Sequence, residues 1–526
     1  MFHSTMVKLF GVKLLRVRLL SRCRKLAVLL VIAALAGCVS APLDYPKEES
    51  LVIRKIDDKQ GIEQIISWTG GEDVNGFYPL SQGFDAFGAR LRLMDRAVGT
   101  IDAQYFLMKP DNAGFVFAAG LLSAADRGVR VRLLLDDVFT TVKDADLAVL
   151  DAHENIEVRI FNPISRKGVY AFNYLGHFKL TNRRMHNKSF TVDNRISIVG
   201  GRNIAAEYYQ LETTGEFYDF DMLAVGPIVN EVSDEFDTYW NHKLAIPLEA
   251  FVRLSPEDMA ARRRSLDADL VESGNSIYAE AISTEVIQNL INQTVSPYVA
   301  DARLISDKPE KLMVPIADDQ QIIANELRDV LLSAEKEVII YTPYLIPRKR
   351  GMELIREIRE KGVRVTILTN SLATNNHTSV HSKYKKYRKP MLEAGVELWE
   401  ARADAAKITL PDGETELDKL TLHTKGLIID RRHVFVGSLN LDPRSIDINT
   451  EMGLLIDSPE MGAAFADQAR KRIGQIAYRV ELDERGRLRW VADVDGQQLV
   501  ETKEPQTSGF NRFTSWFLQI APESQL

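Results

Sequence analysis

The sequence predicts an α/β protein built from two copies of one domain that face each other across a shared site. Three observations carry this. A strand, a helix and a second strand recur after 234 residues, most visibly in Gly128-Val-Arg-Val-Arg-Leu-Leu-Leu-Asp136 and Gly362-Val-Arg-Val-Thr-Ile-Leu-Thr-Asn370. A hairpin beginning His-x-Lys recurs after 237 residues, at His186-Asn-Lys188 and His423-Thr-Lys425. The chain, 526 residues long and 45% hydrophobic, is large enough for two domains with full cores.

In chain order, residues 1–38 carry seven Lys and Arg and no acid. Leu26 to Gly37 is an apolar run of twelve residues, too short to cross a bilayer as a helix. A basic flank, a short apolar core and small residues before a cleavage point read as a secretory signal. The segment Leu35-Ala36-Gly37-Cys38 resembles the lipobox of bacterial lipoproteins. That resemblance implies an acylated Cys38, membrane attachment through it and, because Val39 and not Asp follows, the outer membrane on its periplasmic side; a plain signal anchor is the other reading. Cys23 is the only other cysteine, so a mature chain has no disulfide. Residues 39–75, with Pro42 and Pro46 near their start, read as a tether and N-terminal segment.

Residues 76–250 form the first α/β domain and 316–476 the second, with sequential strand–helix–strand units that give adjacent parallel strands. Ile101 to Pro110 corresponds to Val338 to Pro347, the helical spacing of Phe115 to Asp126 to that of Met352 to Glu360, and Asn155 to Phe161 to Gly395 to Trp399. Residues 251–315 read as the connection, with a charged helix started by Ser255-Pro256-Glu257-Asp258. In the tail, 477–526, Arg479 to Leu482, Leu488 to Val491 and Gln498 to Thr502 alternate like antiparallel strands. Phe510, Phe513, Phe517 and Ile520 then fall on one helical face beside Trp516, which suits packing on the body or contact with a lipid interface.

Without its first 38 residues the chain has 59 basic and 73 acidic residues, a balance of −14. So acidic a body is poorly suited to general binding of a phosphate backbone, and no nucleic acid is expected as partner.

The His-x-Lys pattern is weak alone, since His177-Phe-Lys179 and His381-Ser-Lys383 share it. Only His186 and His423 are followed, seven residues on, by an acid, Asp193 and Asp430, and then by a β-run into Gly200-Gly201-Arg202-Asn203 and Gly437-Ser438-Leu439-Asn440. Further on, Asp219 and Glu451 each stand eight residues before a proline, Pro227 and Pro459, and open another apolar strand.

Taken together these residues resemble the two His-Lys-Asp motifs of the phospholipase D superfamily. Met185 to Asn194, Asp442 to Glu451 and the end Ala521 to Leu526 look like the bacterial cardiolipin synthase C group. The resemblance implies two phospholipase D-type domains, each a mixed β-sheet flanked by helices, packed face to face with the active site at their interface. It implies a membrane-anchored phosphatidyltransferase that moves a phosphatidyl group onto phosphatidylglycerol. Hydrolysis of phospholipid headgroups is the alternative, and a nuclease of the same superfamily the rival against which the acidic body and the lipobox weigh. It makes His186 the nucleophile and His423 the acid and base, an order that the sequence does not show.

The residue types suit this chemistry by themselves. One imidazole attacks phosphorus and the other protonates the leaving oxygen, then takes the proton of the incoming hydroxyl. Lys188, Lys425, Asn203 and Asn440 would hold the non-bridging oxygens, with Ser438 on one side only, since Gly201 stands at its counterpart. Asp219 and Glu451 are placed to orient the histidine of their own half. Asp193 and Asp430, counted with the catalytic motif, sit at turns and suit a structural role. Arg444 suits either a headgroup or a salt bridge. Neither a metal nor a cofactor is implied, because the histidines are consumed by this scheme. The donor headgroup and the need for a helper protein stay open.

Overall fold

The computed structural model describes residues 44–56, 73–166, 181–211, 216–269, 275–292, 294–405, 420–494 and 496–518. The signal, Cys38, His177, Ile520 and the end Ala521 to Leu526 lie outside these.

The first half contributes strands β1 (Gly76–Leu80), β2 (Thr100–Tyr105), β3 (Arg130–Asp136), β4 (Ile156–Phe161), β5 (Ser189–Val192), β6 (Ile196–Gly200), β7 (Glu216–Tyr218), β8 (Asp221–Val225), β9 (Ala245–Pro247) and β10 (Tyr298–Val299). Helices α1 (Gly83–Arg96), α2 (Asn112–Asp126), α3 (Asp144–Asp151) and α4 (Ile228–Asn241) accompany them. The connection carries α5 (Pro256–Asp269), α6 (Asn275–Ala281) and α7 (Glu285–Asn292).

The second half has β11 (Asp301–Ser306), β12 (Glu337–Tyr341), β13 (Arg364–Asn370), β14 (Glu397–Ala401), β15 (Leu420–Leu422), β16 (Gly426–Ile429), β17 (His433–Gly437), β18 (Met452–Asp457), β19 (Ala477–Leu482), β20 (Leu488–Val494) and β21 (Gln497–Glu501). Its helices are α8 (Ile322–Leu332), α9 (Arg348–Glu360), α10 (Thr378–Tyr384), α11 (Arg388–Glu393), α12 (Pro459–Ile476) and, in the tail, α13 (Gly509–Phe517).

The repeat is visible strand by strand. One sheet runs β10-β1-β8-β6-β5-β2-β3-β4-β9 and the other β11-β18-β17-β16-β12-β13-β14-β19-β20-β21. In each sheet the three crossover strands, β2-β3-β4 and β12-β13-β14, are parallel and their other neighbours antiparallel. The parallel strands are buried through most of their length, and the polar residues that they carry are paired inside, as Asp102 of β2 is with Arg132 of β3. Side-chain caps start the helices where the sequence supplies them: Asp111 accepts from Gly114 N at 3.0 Å and Ser458 from Met461 N at 3.2 Å.

Two boundaries differ from expectation. Residues 251–315 are not a bare connection, because each sheet takes an edge strand from them: β10 joins the first and β11 pairs with β18 along its whole length. The predicted tether is docked where it is described. Arg132 Nη1 donates to Ser50 O at 2.7 Å and Arg159 Nη2 to Glu48 O at 2.9 Å, while Val52 N donates to Asp237 at 2.8 Å. Buried guanidinium groups need acceptors, and this segment's carbonyls supply them.

Between the halves lies a shared core. Phe77, Val199, Met222 and Ile228 pack with Val434, Val436, Met452 and Leu454. Thus β6 and β8 of one sheet meet β17 and β18 of the other, which places the polar ends of both hairpins at one seam.

Candidate active site

Each hairpin begins where a strand of one half touches the other half. β7 and β15 pair in parallel across the seam, Tyr218 opposite Leu422, and Tyr218 O then accepts from His423 N at 2.8 Å. The counterpart is the single parallel bridge of Met185 with Thr450, whose carbonyl accepts from His186 N at 2.9 Å. The residue before each histidine is also gripped from beneath by the end of a repeated strand. Asp136, ending β3, accepts from Met185 N at 2.9 Å, and Asn370, ending β13, accepts from Leu422 N at 3.0 Å.

This crossing decides which acid holds which histidine. His186 Nδ1 lies 2.7 Å from Glu451 Oε2, and His423 Nδ1 lies 2.5 Å from Asp219 Oδ2. The expectation that each acid serves its own half is therefore corrected: the acids are exchanged. The cause is the seam itself, because β7 delivers Asp219 beside His423 and the Met185–Thr450 bridge delivers Glu451 beside His186.

The two pairs are built differently. Ser438 Oγ donates to Glu451 Oε2 and accepts from Met452 N at 3.1 Å. The hydroxyl expected on phosphate is thus committed to the acid behind His186. In the other half a Cβ on Gly201 would stand 2.2 Å from Asp219 Oδ1, so glycine leaves the space that the Asp219 carboxylate fills. Burial pushes Glu451 up to about 7 against the pull of Lys188 and Ser438. Burial acts on Asp219 too, but Lys425 and His423 overcome it and bring that carboxyl down to about 2.

Lys188 Nζ donates to His186 O at 2.5 Å, and Lys425 Nζ donates to His423 O while standing 2.7 Å from His423 Nδ1. Burial lowers Lys188 to about 7 and Lys425 to about 8, with the acids of the site opposing it. Burial also lowers both imidazoles, His423 to about 3, with Lys425 next in effect, and His186 well below its usual value, with Lys188 next. Lys425 acts on His186 and Lys188 on His423, so the four groups share one electrostatic site.

Asn203 donates to Tyr208 OH at 2.8 Å and accepts from Leu107 N, and Asn440 donates to Ser445 Oγ at 3.2 Å. The Oδ1 of Asn440 is buried without a hydrogen-bond partner, an acceptor or, with the amide turned, a donor pair left for a ligand.

Asp193 and Asp430 are not in the site. Asp193 accepts from the backbone N–H groups of Val98, Gly99 and Thr100, and Asp430 from those of Glu335, Lys336 and Glu337. Each stands one strand away from its lysine, roughly 16 Å at strand spacing. Both open a turn at positive φ, with Asn194 and Arg431 also positive, which Asp tolerates better than most residues. Their catalytic grouping is corrected to a structural one. Arg444 holds Asn182, at 2.6 Å to its side chain and 3.1 Å to its carbonyl, and its charge reaches His186. The decoy His381 is buried 3.1 Å from Arg388, within the ion network of Glu400 and Glu504.

The sequence reading missed the aromatic walls. Phe217 stacks on His423 at 5.0 Å, Tyr208 meets it edge-on at 5.2 Å, and Phe106 meets His186 at 4.8 Å. Asp136 and Asn370 were missed as well, although they end the most obvious repeat of the chain.

Comparison with known proteins identifies the chain's relatives. The family model described as cardiolipin synthase, phospholipase D-like domain, matches residues 91–240 and 327–476. Cardiolipin synthase C of Escherichia coli (strain K12) is 38% identical over 452 residues, covering 85% of this chain and 95% of that protein. An uncharacterized protein of Helicobacter pylori (strain ATCC 700392 / 26695) is 31% identical over 458 residues, covering 85% and 88%. In fold, the crystal structure of phosphatidylserine synthase from Haemophilus influenzae Rd KW20 superposes with a TM-score of 0.53 at 14% identity, over 79% of this chain and 91% of that one. With a duplicated match over more than half its length and a relative 38% identical over 85% of it, the chain belongs to the cardiolipin synthase group of phospholipase D-like proteins.

Proposed function

We propose that the protein is a phosphatidyltransferase that makes cardiolipin through a phosphohistidine at His186. The observation that carries the assignment of roles is the unequal pair of acids behind the two imidazoles. An ionised Asp219 at His423 Nδ1 favours the imidazolium, the form that protonates a leaving oxygen. Glu451, raised to about 7 and held by Ser438, favours it far less and leaves His186 a neutral nucleophile.

In the first step His186 Nε2 forms the bond to phosphorus, the bond to the headgroup oxygen breaks, and His423 gives that oxygen a proton. In the second, His423 takes the proton of the free hydroxyl of phosphatidylglycerol, whose oxygen bonds phosphorus as the bond to His186 breaks. Lys188 and Lys425 face the non-bridging oxygens, and the incoming phosphate restores their full charge. The name of the Escherichia coli relative and the family description support transfer over hydrolysis. A phospholipid substrate fits a protein held in the bacterial envelope by acylated Cys38, the outer membrane being its site; among the described residues no helix is long and apolar enough to cross a bilayer.

The test is a His423→Asn variant given a p-nitrophenyl phosphodiester, whose leaving group needs no acid. We expect a burst of p-nitrophenol and a phosphate adduct on His186 by mass spectrometry, while the unaltered protein turns phosphatidylglycerol into cardiolipin and glycerol. An adduct on any other residue overturns the assignment of roles, and release of phosphatidic acid in place of cardiolipin overturns transfer.

A further inference from the structure

The last described helix, α13, has an apolar face that no described residue covers. Phe510 is 76% exposed, Phe513 59%, Trp516 61% and Phe517 56%, while Ser515 is buried against the body. Four large rings turned outward within nine residues form a contiguous patch of the kind that marks an interaction site. Of the two sequence readings, packing on the body is not seen for these four rings among the described residues, and Ile520 lies outside them.

The helix is firmly mounted. Ser508 caps it by accepting from Asn511 N at 3.1 Å, and Arg512 donates to Thr507 O at 2.7 Å. Just before it, Glu504 is buried and takes both Nη groups of Arg388, at 2.7 and 3.0 Å. α13 packs on α10, and α10 follows Asn376 and His377 directly. Those two residues touch Tyr344, whose hydroxyl donates to Asn376 at 2.8 Å and feels the charges of Asp442 and Asp219. The aromatic face is therefore two packed elements away from the site.

Its electrostatics select the occupant. α13 has no acidic residue and carries Arg512. Beside it, the turn after α10 carries Lys385, 3.3 Å from Glu504, and Lys386, and α11 begins with Arg388 and Lys389. Exposed Phe and Trp with a cationic fringe match an anionic lipid surface, where the rings enter the interface and the lysines meet phosphates. The chain length agrees. Only five residues, six Cα-to-Cα steps, separate Cys38 from Asp44, where the described body begins. Extended, they reach roughly 20 Å, so an acylated Cys38 keeps the body against the bilayer.

We propose that the aromatic face of α13, with the lysines beside it, is a second membrane contact that docks on anionic phospholipid and turns the active-site mouth toward the bilayer. It rests on the phospholipid-transferase reading for its purpose, and its test does not depend on turnover. Full-length protein is mixed with vesicles of phosphatidylglycerol and phosphatidylethanolamine carrying brominated acyl chains, and tryptophan fluorescence is compared with that of Trp516→Phe. The expected result is quenching by the bromolipid that disappears in Trp516→Phe and weakens with Lys385→Glu, Lys386→Glu together. Unchanged access of Trp516 to aqueous acrylamide after vesicles are added overturns the proposal. So does protection from acrylamide without lipid, whether independent of protein concentration (cover by another part of this chain) or dependent on it (a second copy). In a second arm, changing Phe510, Phe513, Trp516 and Phe517 to Ser should lower turnover on vesicles at least 10-fold and leave turnover of dihexanoyl phosphatidylglycerol, used as a dispersed monomer, unchanged. Equal loss on both substrates overturns it as well. Failure of both substrates in the unaltered protein strikes the transferase reading alone.

Discussion

Glycine at 201 and serine at 438 differ by a hydroxymethyl group, and the acids beside them, Asp219 and Glu451, are shifted in opposite directions. Serine at 201 would drive its Cβ into the Asp219 carboxylate, and His423 would lose the partner that favours its proton. We predict that Gly201→Ser lowers kcat about 100-fold, the loss expected on removing an acid–base group. Ser438→Gly, which only frees Glu451, should cost about 10-fold or less; steady-state rates on phosphatidylglycerol decide both. The two histidines, the lysines and the asparagines were legible in the sequence because their spacing repeats. The partners of the histidines were not. A crossed and an uncrossed pairing leave the same letters in the same order, and only the seam strands choose between them. Ser438 was misread for a related reason: a hydroxyl next to a phosphate site and one next to an acid look identical until the acid's position is known.

At the scale of elements, the adjacent parallel strands were written in the repeat and the tail strands in their alternation, whereas β10 and β11 were hidden in a stretch that read as polar connection. The mounting of α13 was also invisible, since Arg388 and Glu504 are 116 residues apart. Removing one partner of a fully buried ion pair costs about 3 to 5 kcal/mol. Arg388→Ala should therefore lower the thermal midpoint by several degrees and release the tail, seen as early proteolysis after Leu482. A second prediction concerns the link of α3 to β4, where Asp151 accepts from Val158 N at 2.8 Å. Burial raises the Asp151 carboxyl to about 6, above its unfolded value. A raised acid contributes stability that is complete below the unfolded pKa and lost as pH rises through the folded one. The stability of the unaltered protein relative to Asp151→Asn should thus be greatest near pH 4 and fall by about 2 to 3 kcal/mol by pH 7, at 1.36 kcal/mol per unit. Denaturant unfolding at the two values checks the sign.

For the whole molecule, the site exists only while the halves are together. Backbone N–H groups of His186, Thr450, His423 and Thr424 all donate across the seam. We predict that they exchange with deuterium as slowly as the amides of β2 and β12, by mass spectrometry or nuclear magnetic resonance. Early exchange at these four positions would mean that the halves part in solution and that the site is assembled by substrate.

The exchanged acids have one more consequence, for inheritance. A homodimer with this seam would have two histidines of identical surroundings, because one gene writes both. Any substitution that tuned one toward attack would tune the other equally. Joining two copies in one chain lifts that restriction, and Gly201 with Asp219 against Ser438 with Glu451 is the freedom in use. The division of labour between nucleophile and acid is thereby encoded at separate addresses, where each can be changed alone.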